Sequence, residues 1–407
     1  MLRLWFVANI LFWEYHTEII GFKFGANVAV LMLAGTLWIF RKKEIADSSI
    51  KVLFILCVYV LFSYFVAIIG PCNDKLSKLI ITAPIFSFLI FVGWDVGWSV
   101  SDNDWLKLQE SAIWILLAAF VGFIIEALLP TSFPDTAIYR SEDKLSGLFS
   151  EPSYAAVSLF PVIVILLVAE SKKIRYNGIL ALGALVLFSG SSTLMGLIVA
   201  WSFYRLFVQR NIKHFLYEST GLSFFVGLAA IIHHDRFVAP ALDRIAGLVP
   251  TNKIINLSSL VYIQGWQDAL VNLLRTKGLG LGFNMMGCIP LPDVLERAII
   301  AKEYKLQLNV EDGSFLLSKI VSETGMIGVL FFVVIIWWLI RMEKNIRNYN
   351  HINRAEYSVL AIQAALIFSL IATFFLRTAG YFSGGILMLV VTISASVKWH
   401  RMHISKI

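Results

Sequence analysis

Apolar residues run through this chain in long blocks separated by short polar stretches. Blocks long enough to cross roughly 30 Å of hydrocarbon as a helix recur from end to end. They predict an all-α integral membrane protein of about twelve transmembrane helices, near 3–19, 21–40, 50–70, 79–99, 110–130, 153–170, 176–190, 192–208, 215–233, 314–340, 355–376 and 380–397. The first two are the least regular, because Glu14, Glu18 and Lys23 interrupt the apolar pattern.

Two stretches break the rhythm. One is a short loop at 131–152, and the other spans 234–313, about 80 residues, too long for a connector. The longer one is partly helical on its pattern: Leu260, Ile263, Trp266, Leu270 and Leu274 recur at helical spacing within Ser258–Arg275. Pro292 then opens a second amphipathic stretch over Asp293–Leu308, in the first-turn position that proline tolerates. The predicted organisation is helices one to nine in 1–233, the large loop in 234–313, and helices ten to twelve in 314–407.

Charge orients this pattern. Arg41-Lys42-Lys43, Lys172-Lys173 with Arg175, Arg205 with Arg210 and Lys213, Arg341 through Arg354, and Lys398 with Arg401 and Lys406 all fall on one side if every span crosses once. Short loops rich in Lys and Arg mark the cytoplasmic side, so both termini are expected there and the two long loops outside. Many of the Trp, such as Trp38, Trp98, Trp338 and Trp399, fall near predicted span ends, as an interfacial belt requires.

Composition agrees. The chain is 58% hydrophobic and only 15% charged, with a mean hydropathy of +0.77, where soluble domains carry about 25% charge. The net charge of +7 does not point to nucleic acid, because the cations sit in short inter-span clusters rather than in a stripe with interleaved aromatics. No small-residue cleavage site follows the first apolar stretch, so it is expected to stay in the membrane. Cys72 and Cys288 both fall in predicted outer loops, where a disulfide and two free thiols are equally open readings; Cys57 reads as apolar filler. No Cys/His spacing suggests a metal site.

Five polar features lie on the outer side. Ser150-Glu151-Pro152-Ser153 marks where the first loop re-enters the membrane: either a capped helix start or a carboxylate held at a low-dielectric boundary for base catalysis. Ser189-Gly190-Ser191-Ser192-Thr193 breaks about thirty apolar residues, as a tight turn or a hydroxyl-lined site. Arg236, Arg244, Arg275 and Arg377 offer planar forks for phosphate oxygens, and Arg377 stands inside apolar sequence, where a charge is a functional hypothesis by default. Gly278, Gly280 and Gly282 lack the spacing of a nucleotide-binding loop and read as a turn allowing close backbone approach to a substrate. Glu311-Asp312 stands at the start of the tenth span, and Lys319 with Glu323 follows four apart on one helical face, a pairing read as structural more often than catalytic.

Taken in order, Gly147-Leu-Phe-Ser-Glu-Pro-Ser153, the Ser189-Gly-Ser-Ser192 turn, Gly278–Asn284, Asp312-Gly-Ser-Phe-Leu316 and Glu323-Thr-Gly-Met-Ile-Gly328 resemble the O-antigen polymerase and ligase superfamily of bacterial envelope polysaccharide assembly. The resemblance runs from about Arg140 to Arg341. Ligases of that superfamily usually carry His-Asn where this chain has Asp312-Gly313, and Ser-Arg where it has Ser191-Ser192, so the chain is more similar to the Wzy-type polymerase branch. The resemblance implies a metal-independent glycosyltransferase of the bacterial inner membrane with a periplasmic active site and no cofactor. It would move a growing glycan from undecaprenyl diphosphate onto the non-reducing end of an incoming lipid-linked repeat unit. Its implied partners are that lipid-linked oligosaccharide, membrane lipid, a chain-length regulator and a flippase, with no nucleic acid. Arg140, Arg236, Arg244 and Arg377 are expected at the diphosphate, Glu151 and Asp312 are rival bases, and Tyr154, Trp266 and Tyr381 are expected to stack on sugar rings. A ligase and a polytopic transporter or flippase of lipid-linked glycans are the alternatives; scarce mid-span charges and the one-sided placement of motifs weigh against transport.

Overall fold

The computed structural model describes residues 1–11, 16–19, 22–42, 44–69, 72, 75–128, 148–149, 151–232, 257–288, 313–348, 354–377 and 380–404. Their regular elements are helices apart from one two-stranded antiparallel hairpin. In chain order the elements are α1 (Leu2–Leu11), β1 (His16–Ile19), β2 (Phe22–Gly25), α2 (Ala26–Arg41), α3 (Asp47–Ile69), α4 (Leu76–Ser99) and α5 (Asp102–Leu128). There follow α6 (Pro152–Leu167), α7 (Lys172–Ser189), α8 (Ser192–Phe203) running into a π turn at Tyr204–Val208, α9 (Ile212–Ile232) and α10 (Leu257–Arg275). The last are α11 (Leu316–Thr324), α12 (Met326–Asn348), α13 (Arg354–Leu376) and α14 (Gly384–Ile404).

Five of these, α3, α4, α5, α12 and α13, are long and apolar enough to cross a membrane; α2, α6 and α8 with its π turn are apolar but shorter. Local sequence explains their ends. Ser101 and Asp104 bond reciprocally at the head of α5, backbone N–H to side-chain oxygen in both directions, in the manner of a capping box. Pro152 opens α6, where its missing N–H leaves no bond unmade.

Two expectations are corrected. The span at 3–19 does not form as such, and the one at 21–40 is helical only from Ala26. The first helix stops at Leu11, and the charge-interrupted stretch pairs Glu18 with Lys23 across the hairpin before α2 begins. The span at 314–340 is two helices, broken where Gly325 takes φ 60° between α11 and α12.

The centre of the bundle is α6, in which every residue from Ala155 to Leu167 is buried. It packs against α5, α7, α8 and α13. By contrast α3 turns Phe54, Ile55, Leu61 and Phe65 outward, an apolar surface that only lipid or another apolar partner satisfies. The two ends of the bundle segregate. At one, Lys42 reaches Asp95 and Ser99, Lys398 donates to the Val100 carbonyl, and Arg401 lies over Trp98. Trp338 ties α12 to α14 by bonding Ser396 near this end. The other end carries Glu151, Arg377, Tyr381 and a Cys72–Cys288 disulfide.

Candidate active site at one end of the bundle

Glu151 occupies the N-cap position of α6 with extended backbone, φ −141° and ψ 151°, yet its side chain makes no cap bond. The carboxylate is used elsewhere. It accepts the Ser153 hydroxyl at 2.9 Å and the Arg377 Nη2 at 2.7 Å, joining residues 226 apart in sequence. Arg377 ends α13, its amide still bonded to the Thr373 carbonyl, and its guanidinium lies 5.1 Å from the Tyr154 ring centroid. The pair is about one-third exposed on both sides. Its Nε is shielded from solvent and donates to nothing among the described residues, so the fork keeps an unused donor.

Beside Tyr381, whose ring packs on Phe283, stands a backbone clasp. Leu281 and Gly282 donate to the carbonyls of Ser322 and Glu323, and Met326 donates to the carbonyl of Gly278. Gly280, at φ 81°, approaches so closely that a Cβ there would collide with the Glu323 carbonyl, and one on Gly325 would meet Gly280 N at 2.7 Å. The glycine spacing thus serves close approach to the chain itself. Glu323, fully buried, seals the clasp by accepting the amides of Asn284 and Met286 at 2.9 and 2.8 Å. Lys319 and Tyr381 are its electrostatic neighbours. Lys75 closes the far side on the Met286 carbonyl.

The aromatic residues divide. Trp266, one-third exposed, joins Phe315 and Phe375 at 5.1 and 6.3 Å and continues into Tyr262, stacked on Phe315. Phe375 lies in the last turn of α13, the helix that Arg377 follows. Tyr154 is partly exposed under the guanidinium. Tyr381 is buried, its ring packed on Phe283 and Phe86 with the Lys319 ammonium over it. The Ser189–Thr193 break forms a tight turn with Gly190 left-handed and the Ser189 hydroxyl bonded back to the Leu185 carbonyl. Arg140, Arg236, Arg244 and Asp312, and the stretch 293–308, lie outside the described residues.

Sequence reasoning missed one polar centre. At the opposite end Arg205 is held by Glu218, thirteen residues later, through Nε and Nη2 at 3.1 and 2.5 Å. A lone carboxylate inside the apolar run of α9 was the available signal. Among the described residues no group of three His, Cys, Asp or Glu stands close enough to hold a metal ion.

Five helices long and apolar enough to cross a membrane, among them α3 with its exposed apolar side chains, mark the class as a helical membrane protein. Compared with known proteins, the chain matches no family model, no curated protein and no solved structure.

Proposed function

We propose that this chain is a membrane-embedded glycosyltransferase that polymerises lipid-diphosphate-linked oligosaccharide units. The observation that carries the reading is the Glu151–Arg377 pair, about one-third exposed with Tyr154 against the guanidinium, at the end of the bundle away from the basic loops. The one-sided motif order from Gly147 to Gly328 supports it.

The pair suits an exchange of partners. A diphosphate entering at Arg377 competes for the guanidinium and frees the Glu151 carboxylate. That carboxylate takes the proton of the acceptor hydroxyl, and the hydroxyl oxygen bonds to the anomeric carbon. The bond from that carbon to the diphosphate breaks, and its electron pair leaves on the lipid diphosphate, where fixed cations meet the developing charge. Arg140, Arg236 and Arg244 are assigned to the same diphosphate, Asp312 is the rival base, and Tyr154 and Trp266 are assigned to sugar rings. The reading includes about twelve spans, both termini in the cytoplasm, and the active end facing the periplasm of a bacterial inner membrane. The gathering of basic loop ends and the Cys72–Cys288 disulfide on the opposite face support that orientation.

The test is polysaccharide gel analysis of a deletion strain complemented with variants. Loss of the long-chain ladder to a single repeat on the lipid core is expected for the deletion and for Arg377→Glu, with that protein still in the membrane. Long polymer made normally by Arg377→Glu removes this residue from the site. Glu151→Ala and Asp312→Ala, tested separately, should give one near-total loss and one milder defect; wild-type polymer from both ends the acid–base assignment.

A further inference from the structure

The end of the bundle opposite the Glu151–Arg377 pair holds a cavity of about 810 Å³ that the polymerase chemistry does not use. It lies where α7, α9 and α13 begin and where α6, the π turn and α12 end. Its lining carries Arg175, Arg205, Arg210, Lys213 and Arg347 against two carboxylates, Glu170 and Glu343.

The division of labour among these cations is informative. Arg205 is held by Glu218, Gln209 and the Leu167 carbonyl. Arg175 is engaged with His214 and the Glu170 carbonyl, and Arg347 bonds the Glu343 carbonyl. The Glu343 carboxylate is satisfied by Tyr204 and Gln209, neutral donors, so it neutralises none of the cavity's cations by direct contact. Arg210 and Lys213 are exposed at the rim, and no hydrogen bond or ion pair among the described residues engages their side chains. The amino ends of α7, α9 and α13 lie there; the Ser171 side chain caps no amide of α7, whereas Asn211 accepts the His214 amide in the first turn of α9. Leu167, Val168, Ile346 and Ala361 supply apolar lining beside this rim.

We infer that this cavity is a binding site for a phosphate mono- or diester, held by Arg210 and Lys213 at the rim and the helix amino ends behind them. A free phosphate and the headgroup of an acidic phospholipid share that chemistry; basic pockets between transmembrane helices commonly take the latter. The volume suits a headgroup with its glycerol rather than a bare ion.

The experiment uses the full chain in nanodiscs of phosphatidylcholine with graded phosphatidylglycerol, read by native mass spectrometry for retained lipid. Wild type should retain phosphatidylglycerol about tenfold more tightly than Arg210→Gln/Lys213→Gln. Both side chains are exposed, so the variant should keep its melting temperature. Lys172→Gln/Lys173→Gln, equally exposed on this end but outside the cavity, should bind as wild type. If millimolar inorganic phosphate displaces the lipid, a soluble phosphate ester is the source; if it does not, the site belongs to a lipid headgroup. Equal retention by wild type and the rim variant, or the same loss in the Lys172/Lys173 control, overturns the proposal.

Discussion

Each end of this bundle holds an arginine paired with a glutamate, and the two pairs are opposites. Arg205 and Glu218 are almost wholly buried, at 5% and 10% side-chain exposure, with two bonds between them. Their remaining valences go to Gln209, the Leu167 carbonyl and the Trp201 indole N–H, and Trp201 lies beneath the guanidinium at 4.6 Å. Arg377 and Glu151 make one bond, are about one-third exposed and leave a donor unused. A buried pair with four of the five guanidinium N–H groups engaged fixes helices relative to one another and offers little to a ligand. An unsaturated, accessible pair holds its geometry loosely and can trade its partner. The same two residue types are therefore structural at one end and suited to chemistry at the other.

The contrast can be broken by substitution. Arg205→Ala should destabilise the protein by about 3–5 kcal/mol, because it strands the Glu218 charge in the bundle; an unchanged denaturation midpoint in detergent would mean the inner pair is not structural. Arg377→Ala should instead leave the melting temperature nearly unchanged while lowering polymer formation about 10²-fold, measured by transfer from a lipid-linked donor. Comparable effects of both variants on melting would erase the distinction. Gly280→Ala tests the clasp at the Glu151–Arg377 end and should cost about 1–3 kcal/mol through its left-handed backbone and the collision with Glu323. Gly227→Ala, in open space, serves as its control and should not lower the melting temperature. Smallest of all, Tyr154→Leu should weaken the Glu151–Arg377 site by about 0.5–1 kcal/mol, the scale of an exposed cation–π contact, seen as a modest rise in KM.

Local pattern carried local structure. The spacing of Leu260, Ile263, Trp266, Leu270 and Leu274 predicts a helix where Leu257–Arg275 forms, and Pro152 predicts the start of α6. What periodicity cannot carry is which distant faces meet. Glu151 and Arg377 are each readable as boundary charges, but nothing in either neighbourhood names the other. The break at Gly325 was hidden for a related reason: Met-Ile-Gly is compatible with continuous helix, and it is the clasp from Gly278 to Gly282 that requires the chain to turn. The hairpin after α1 was missed because four-residue strands are too short for a period of two to stand out from interrupted apolar sequence. Glu218 passed as an incidental charge because its partner lies across a turn, on a helix that already looked apolar.

The clasp also shapes what the chain can become. The backbone departs from it at Cys288, pinned to Cys72, and returns at Gly313, where a Cβ would stand 2.9 Å from the Met286 sulfur. Exit and re-entry share one anchorage. A side chain at position 313, or loss of the Cys72–Cys288 bridge, would therefore disturb both ends of that departure at once.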